Sequence, residues 1–254
     1  MIRSIQNFFV STGEISEFAI RYFKEVLFPP YEFRELLKQS YLIGNKSIGL
    51  VGSTGFIMGI VLTLQTRPTL VEFGAESWMP SMVGIAIVRE IGPVITALIC
   101  AGKVGSGISA EIASMKVTEQ IDSMEVSGTN PFKYLVITRV TAATIMLPVL
   151  VILADLISLG GSALVEYVKG GVTFQLYFNK VFDYLNFGDL IPSIIKSFFF
   201  GFAIAIVACF KGFNTGKGTE GVGRTANEAV VISSMLVFIL DFMAVLISDI
   251  FYEL

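Results

Sequence analysis

Long apolar blocks separated by short polar stretches fill the chain from Ser47 onward. Five of them reach the roughly 20 mostly apolar residues that a membrane-spanning helix requires: Ser47–Thr66, Met82–Val104, Tyr134–Leu159, Leu190–Phe210 and Ala229–Tyr252. The third has an apolar extension through Gly160 and Gly161 toward Val168. The residues before Ser47 follow a different rule. Ile5, Phe8 and Phe9, then Ile15, Phe18, Tyr22, Phe23, Val26 and Leu27 recur at steps of three and four, with Glu14, Glu17, Arg21, Lys24 and Glu25 mostly between them. That spacing predicts an amphipathic helix lying in the membrane interface, apolar face down. Pro29 and Pro30 end it. The stretch YEFRELLKQS then predicts a short second helix leading into the first span. The expected fold is an all-α polytopic membrane protein with one domain. Residues 1–46 form interfacial and elbow helices, and residues 47–254 form five transmembrane helices.

The first block carries Gly52, Gly55 and Gly59 at spacings of three and four. Small residues on one helix face let another helix approach closely. Both packing within the chain and contact with a second copy fit this stripe.

Composition agrees with the pattern. Hydrophobic residues make up 54% of the 254 positions and charged residues 15%, against about 25% charged in soluble domains. The mean hydropathy is +0.74. No basic tract suggests nucleic acid. The chain has no His, which removes His-based catalysis and His metal sites. Cys100 and Cys209 both sit in apolar runs and read as small buried hydrophobes. The N-terminal stretch has scattered charges and lacks the apolar core and small-residue cleavage site of a signal peptide. Its Glu14, Glu17 and Glu25 also argue against a transit peptide.

Lys and Arg set the orientation. With the N-terminus in the cytoplasm, the outer loops hold only Arg67, Lys169 and Lys180. Most of the other basic residues fall on the cytoplasmic side, while Arg89 and Lys196 lie within spans. The C-terminus is then periplasmic.

Two glycine patterns resemble nucleotide sites and fail on context. Gly105-Ser-Gly107-Ile-Ser-Ala110 matches a dinucleotide fingerprint, but an apolar span precedes it where a strand is needed. Gly212 to Thr219 resembles a P-loop that is one residue short, with Gly218 where a magnesium-binding Ser or Thr belongs. If ATP powers this protein, the ATPase is another subunit.

Four ionisable residues stand out deep in predicted spans: Arg89, Glu90, Lys196 and Asp241. Each costs roughly 2.5–3.5 kcal/mol at a helix centre, so each is expected to face protein or a cavity. At about 1.5 Å per residue all four fall in the outer half of the membrane, and their charges sum to zero. A cluster that fixes helix packing and a polar element beside a substrate cavity are both consistent with this.

The stretch GSGISAEIASMKVTEQIDSMEVSG places Glu111, Lys116, Glu119, Gln120, Asp122 and Glu125 between two apolar spans. Ala110–Val126 has helical spacing, and Gly128 and Asn130-Pro131 end it. A charged cytoplasmic helix in a chain with no energy source suggests a coupling helix on which an ATPase docks. A plain solvated loop helix has the same periodicity.

Arg89–Pro131 closely resembles the signature region of the MlaE/YrbE family of ABC permeases. The pieces REIGP, AGKVGSGISAEI, MKVTEQIDSMEV and GTNP follow the family pattern in order. The resemblance extends to GFIMGIVLTLQ in the first block, IIKS around Lys196 and LDF around Asp241. Lys103, Ala113 and Asn130 depart mildly from it, standing where Arg, Gly and Asp are common.

The resemblance implies a permease subunit without catalytic residues, cofactor or metal of its own. Two copies would form the core. Two MlaF-like ATPases, using ATP and Mg, would dock on the coupling helices, and MlaD-like MCE-domain proteins would cap the outer side. The complex would move phospholipid between the inner and outer membranes of a diderm bacterium, with this chain in the inner membrane. By family position Leu62, Leu70, Phe73, Glu90 and Ile91 would line the lipid cavity between the two copies. A stand-alone channel or secondary transporter using the buried charges is the competing reading, as is import of another lipid, such as a sterol or fatty acid. An intramembrane hydrolase would need a nucleophile–base pair that the sequence does not bring together.

Overall fold

The computed structural model describes residues 2–216 and 218–252, with the side chains of 2–12, 219, 251 and 252 excluded. The Ile5, Phe8 and Phe9 part of the N-terminal stripe, and Lys217 of the P-loop-like run, therefore lie outside the described set. Among the described residues eight helices account for the architecture: α1 (Ile2–Val26), α2 (Phe33–Glu72), α3 (Glu76–Val117), α4 (Gln120–Val126), α5 (Phe132–Gly170), α6 (Phe174–Tyr184), α7 (Phe187–Phe213) and α8 (Thr219–Tyr252). No strand occurs among the described residues. Five helices, α2, α3, α5, α7 and α8, are long and apolar enough to cross a membrane.

The structure refines the sequence expectation in three places. The predicted elbow helix is not separate: α2 runs unbroken from Phe33 through the first span, with no Pro before Ser47 and Gly44 taken into the helix. The third span reaches Gly170, along its glycine-containing extension. Helix α6 is an additional amphipathic helix, capped by the Thr173 side chain, which accepts a hydrogen bond from the Leu176 N–H at 3.3 Å.

The contacts divide the chain into two compact units, one of residues 1–43, 100–146 and 201–237, the other of residues 44–99, 147–200 and 238–254. In the first unit, α1 is held by aromatic contacts. Phe18 meets Phe132 edge-on at 5.1 Å and Phe210 at 5.6 Å, and the buried Tyr22 shares a 2.8 Å hydrogen bond with Thr141. Burial raises the Tyr22 phenol above its ordinary pKa against the opposing effect of that bond. The α1 stripe is thus shared: Phe18 and Tyr22 pack on protein, while Ile20, Phe23 and Leu27 stay exposed. Lys133 fixes the segment after α1 by donating to the carbonyls of Phe28 and Pro29 at 2.9 and 2.8 Å. Asn130 caps the start of α5, its side-chain oxygen accepting from the N–H groups of Phe132 and Lys133 at 3.0 and 3.3 Å.

In the second unit, α2 and α5 pack through the glycine stripe. A Cβ at Gly52 would touch Ile157 at 3.1 Å, one at Gly55 would meet the Ala154 carbonyl at 3.0 Å, and one at Gly59 would overlap the Ser158 carbonyl. From the other side, a Cβ at Gly161 would overlap the Phe56 carbonyl. Of the two uses the sequence left open, the stripe serves helix packing within the chain. Beside it Thr63, Ser162 and Tyr177 form a buried hydroxyl chain, with oxygens 2.6 and 2.7 Å apart. Burial holds the Tyr177 phenol neutral, its pKa pushed up to about 12. Arg67 pairs with Glu166 at 2.9 Å. Backbone-to-backbone overlap cannot be relieved by a rotamer change. Gly59→Ala is therefore expected to lower the yield of folded protein and its unfolding temperature, at a cost of about 1–3 kcal/mol. Gly49→Ala on the same helix, where a Cβ meets nothing within 4 Å, should be neutral in the same thermal-unfolding assay.

Candidate functional site

The second span is not a uniform α-helix. A π turn covers Ile87–Ile91, where the Gly92 N–H donates back five residues to the Ile87 carbonyl. Pro93 supplies the cause: it has no N–H to give to the carbonyl four residues earlier, that of Arg89, so the helix widens there. The wide turn carries both Arg89 and Glu90. A second π turn, Ala101–Gly105, precedes the charged segment, and a third, Phe132–Ile137, follows it.

Lys196 of α7 is buried and sits between two carboxylates. Its Nζ donates to Glu90 Oε2 at 2.7 Å and to Asp241 Oδ1 at 2.9 Å. Three of the four predicted cluster members are therefore in direct contact. Arg89 reaches instead toward Asp249, at 3.7 Å. Consecutive side chains of a helix point about 100° apart, so Arg89 and Glu90 serve different partners. The neutral four-member set expected from sequence is thus replaced by a Lys196 centre with two carboxylates and an Arg89–Asp249 pair. Burying an ammonium costs several kcal/mol unless it is paired and hydrogen-bonded, and the two charge-assisted bonds meet that requirement.

Lys196 also forms part of the wall of an apolar groove of about 710 Å³ between α7 and α8. Phe187, Ile191, Ile195 and Phe199 line one side, and Leu240, Met243, Ala244 and Ile247 the other. None of the cavity residues expected from family position lines it. Leu62 and Leu70 pack instead on the core formed by Met79, Val83, Ile87, Val88, Leu159, Ala163, Tyr177 and Val181. Phe73 is 79% exposed, and Ile91 and Glu90 are half-buried. Leu62 and Leu70 are partly buried against that core, each keeping some exposed surface. Helix α8 has only 11% of its apolar window buried, against 72% for α7, so its apolar face has little cover from its own chain.

The charged segment also differs from expectation. Ala110–Val126 is not one helix. Helix α3 runs on to Val117, and Glu119 adopts a left-handed conformation, φ 59°, before α4 begins at Gln120. Lys116 and Asp122 close the corner with a 2.8 Å ion pair. Ile112 and Ile121 are buried, while Glu119, Gln120, Asp122, Glu125 and Val126 face outward. Glu111 takes another role: it accepts at 2.9 Å from Arg139, whose side chain is 2% exposed and also donates to the Leu135 carbonyl at 3.1 Å. This pair ties the end of α3 to the start of α5. The second glycine of interest, Gly212, lies inside α7 with Ile112 packed against it, so the P-loop-like run opens in a helix rather than in a phosphate-binding loop.

A left-handed residue other than Gly stores roughly 1–2 kcal/mol. Glu119→Gly is expected to unfold at the same or a slightly higher temperature than the parent, and Glu119→Val at a lower one. Equal losses in both would place the importance of Glu119 in its side chain rather than in the corner.

The family profile described as Permease MlaE matches residues 36–247. The chain belongs to the MlaE permease family. A probable ABC transporter permease protein of Rickettsia prowazekii is 40% identical over 243 residues, covering 96% of this chain and 93% of the relative. One from Rickettsia felis is 39% identical over the same length and coverage. One from Synechocystis is 34% identical over 209 residues, covering 82% of this chain and 80% of its own. This MlaE-family chain is therefore an integral membrane subunit of an ABC transporter, and ABC permeases work with an ATPase partner. Sequence reasoning missed Asp155, an acid within the predicted third span that is almost fully buried. Its signal was available, since any carboxylate inside an apolar block is costly.

Proposed function

We propose that this permease moves phospholipid between the inner and outer membranes of a diderm bacterium. In this reading it sits in the inner membrane as a homodimer, with MlaF-like ATPases on the cytoplasmic side and an MCE-domain partner on the outer side. The observation that carries the proposal is the α7–α8 groove: a long apolar trough for acyl chains with a paired ammonium, Lys196, in its wall. Its other walls offer no pair of groups suited to covalent chemistry. A second copy packing along the exposed apolar face of α8 would enclose the groove and put lipid between the two chains.

The ATPase would act through the corner of α3 and α4. Glu119, Gln120, Asp122 and Glu125 project there. The Arg139–Glu111 pair passes movement of the corner to α5. Lipid extraction and mass spectrometry of the complex purified from native membranes should find phospholipid as the main retained species. A sterol or fatty acid in its place would redirect the substrate assignment, and no retained lipid would overturn it.

A further inference from the structure

Asp155 of α5 is a buried acid whose Oδ1 accepts no hydrogen bond. It lines a cavity of about 270 Å³, next to Phe187, which also borders the larger groove. The other walls are apolar, among them Val88, Leu156, Leu159 and Leu190. Room for the carboxylate is made by Gly92, where a Cβ would fall on Asp155 Oδ1. The nearby cation, Lys196, is already engaged by Glu90 and Asp241. Asp155 is thus a third carboxylate near one cation that already holds two. A buried acid without a hydrogen-bond partner is costly, and its ionised form is disfavoured until a positive charge reaches it.

We propose that the Asp155 cavity is a headgroup subsite that selects the primary ammonium of an aminophospholipid. The inference rests on the phospholipid reading above and adds a headgroup preference to it. The volume lies just below the roughly 300–1,000 Å³ of pockets that enclose whole drug-sized ligands, so the cavity suits a headgroup and not an entire lipid. An ammonium brings the missing positive charge and a donor for Oδ1, whereas an uncharged glycerol headgroup brings only a donor. Access only through apolar walls favours an amine carried by a lipid over a free amine in water.

The test uses the complete transporter in nanodiscs of equal phosphatidylethanolamine and phosphatidylglycerol, with tightly held lipid counted by native mass spectrometry. The parent protein should retain phosphatidylethanolamine in several-fold excess. Asp155→Leu should bring the ratio to parity with the number of retained lipids unchanged. Asp155→Asn, which keeps an acceptor and loses the charge, should reduce the excess, and it carries the test alone if the leucine variant does not fold. Both variants should unfold at or above the parent temperature, because a buried unpaired acid has been removed; a large drop would assign Asp155 a structural role and overturn the proposal. Parity in the parent, or an undiminished excess in the variants, would also overturn it. Retained phospholipid at parity defeats only the headgroup preference, while absence of any retained phospholipid defeats the phospholipid reading itself.

Discussion

Lys196→Ala is expected to abolish lipid transfer and to destabilise the permease by about 3–5 kcal/mol, the usual cost of leaving a buried charge without its partner. Two carboxylates are stranded at once, because Lys196 Nζ is 2.7 Å from Glu90 and 2.9 Å from Asp241. The comparison that separates folding from function is the triple change Lys196→Met, Glu90→Gln and Asp241→Asn. It removes all three charges together, and buried ion pairs replaced by neutral groups of similar volume are often tolerated. Thermal unfolding of the triple variant should return close to that of the parent, while transfer should stay at background if the ammonium and its carboxylates contact the lipid. Recovery of both would make the cluster a packing device. Failure to recover stability would mean that the three side chains are not acting as a unit.

The second large effect is expected at the corner between α3 and α4. Asp122→Lys replaces the 2.8 Å ion pair with Lys116 by two facing cations and reverses an outward charge on the surface proposed for ATPase docking. Exposed pairs contribute only about 0–1 kcal/mol to folding, so the permease should still insert and unfold near the parent temperature. ATP-driven transfer should fall to background, and the ATPase should no longer co-purify in stoichiometric amount. Normal co-purification together with normal transfer would remove this corner from the docking surface.

The features visible in the sequence are those for which a membrane sets a strong rule. The five spans could be read because roughly 20 apolar residues must cross the bilayer. The contact of Glu90, Lys196 and Asp241 could be anticipated because charges in spans must find partners. The glycine stripe could be read as a close helix contact, although its partner, α5, required the structure. What stayed hidden follows from weaker local signals. The break at Glu119 has no Gly or Pro to announce it, since Thr118 and Glu119 are ordinary helix residues. The π turns leave a trace only at Pro93, and the pairing of Arg89 with Asp249 rather than with Glu90's partners needed the structure. Helix α6 is short and amphipathic, so it falls below any span criterion. That Leu62 and Leu70 also pack on the chain's own core needed the structure, because position along α2 does not show which neighbour covers them. Asp155 carried the same signal as the other charges in spans, but that its Oδ1 lies against Gly92 without a hydrogen-bond partner required the structure.

The central claim is that an ATPase drives lipid movement through this chain. Its most direct test is transfer of fluorescent phospholipid from proteoliposomes holding the permease with its ATPase and MCE-domain partner to acceptor vesicles. Transfer in either direction is followed with ATP and with a non-hydrolysable analogue. The account predicts transfer that requires ATP hydrolysis and disappears in Lys196→Ala, with the ATPase still bound. Transfer at the same rate without ATP, or ATP hydrolysis with no lipid moved in the intact complex, would contradict it.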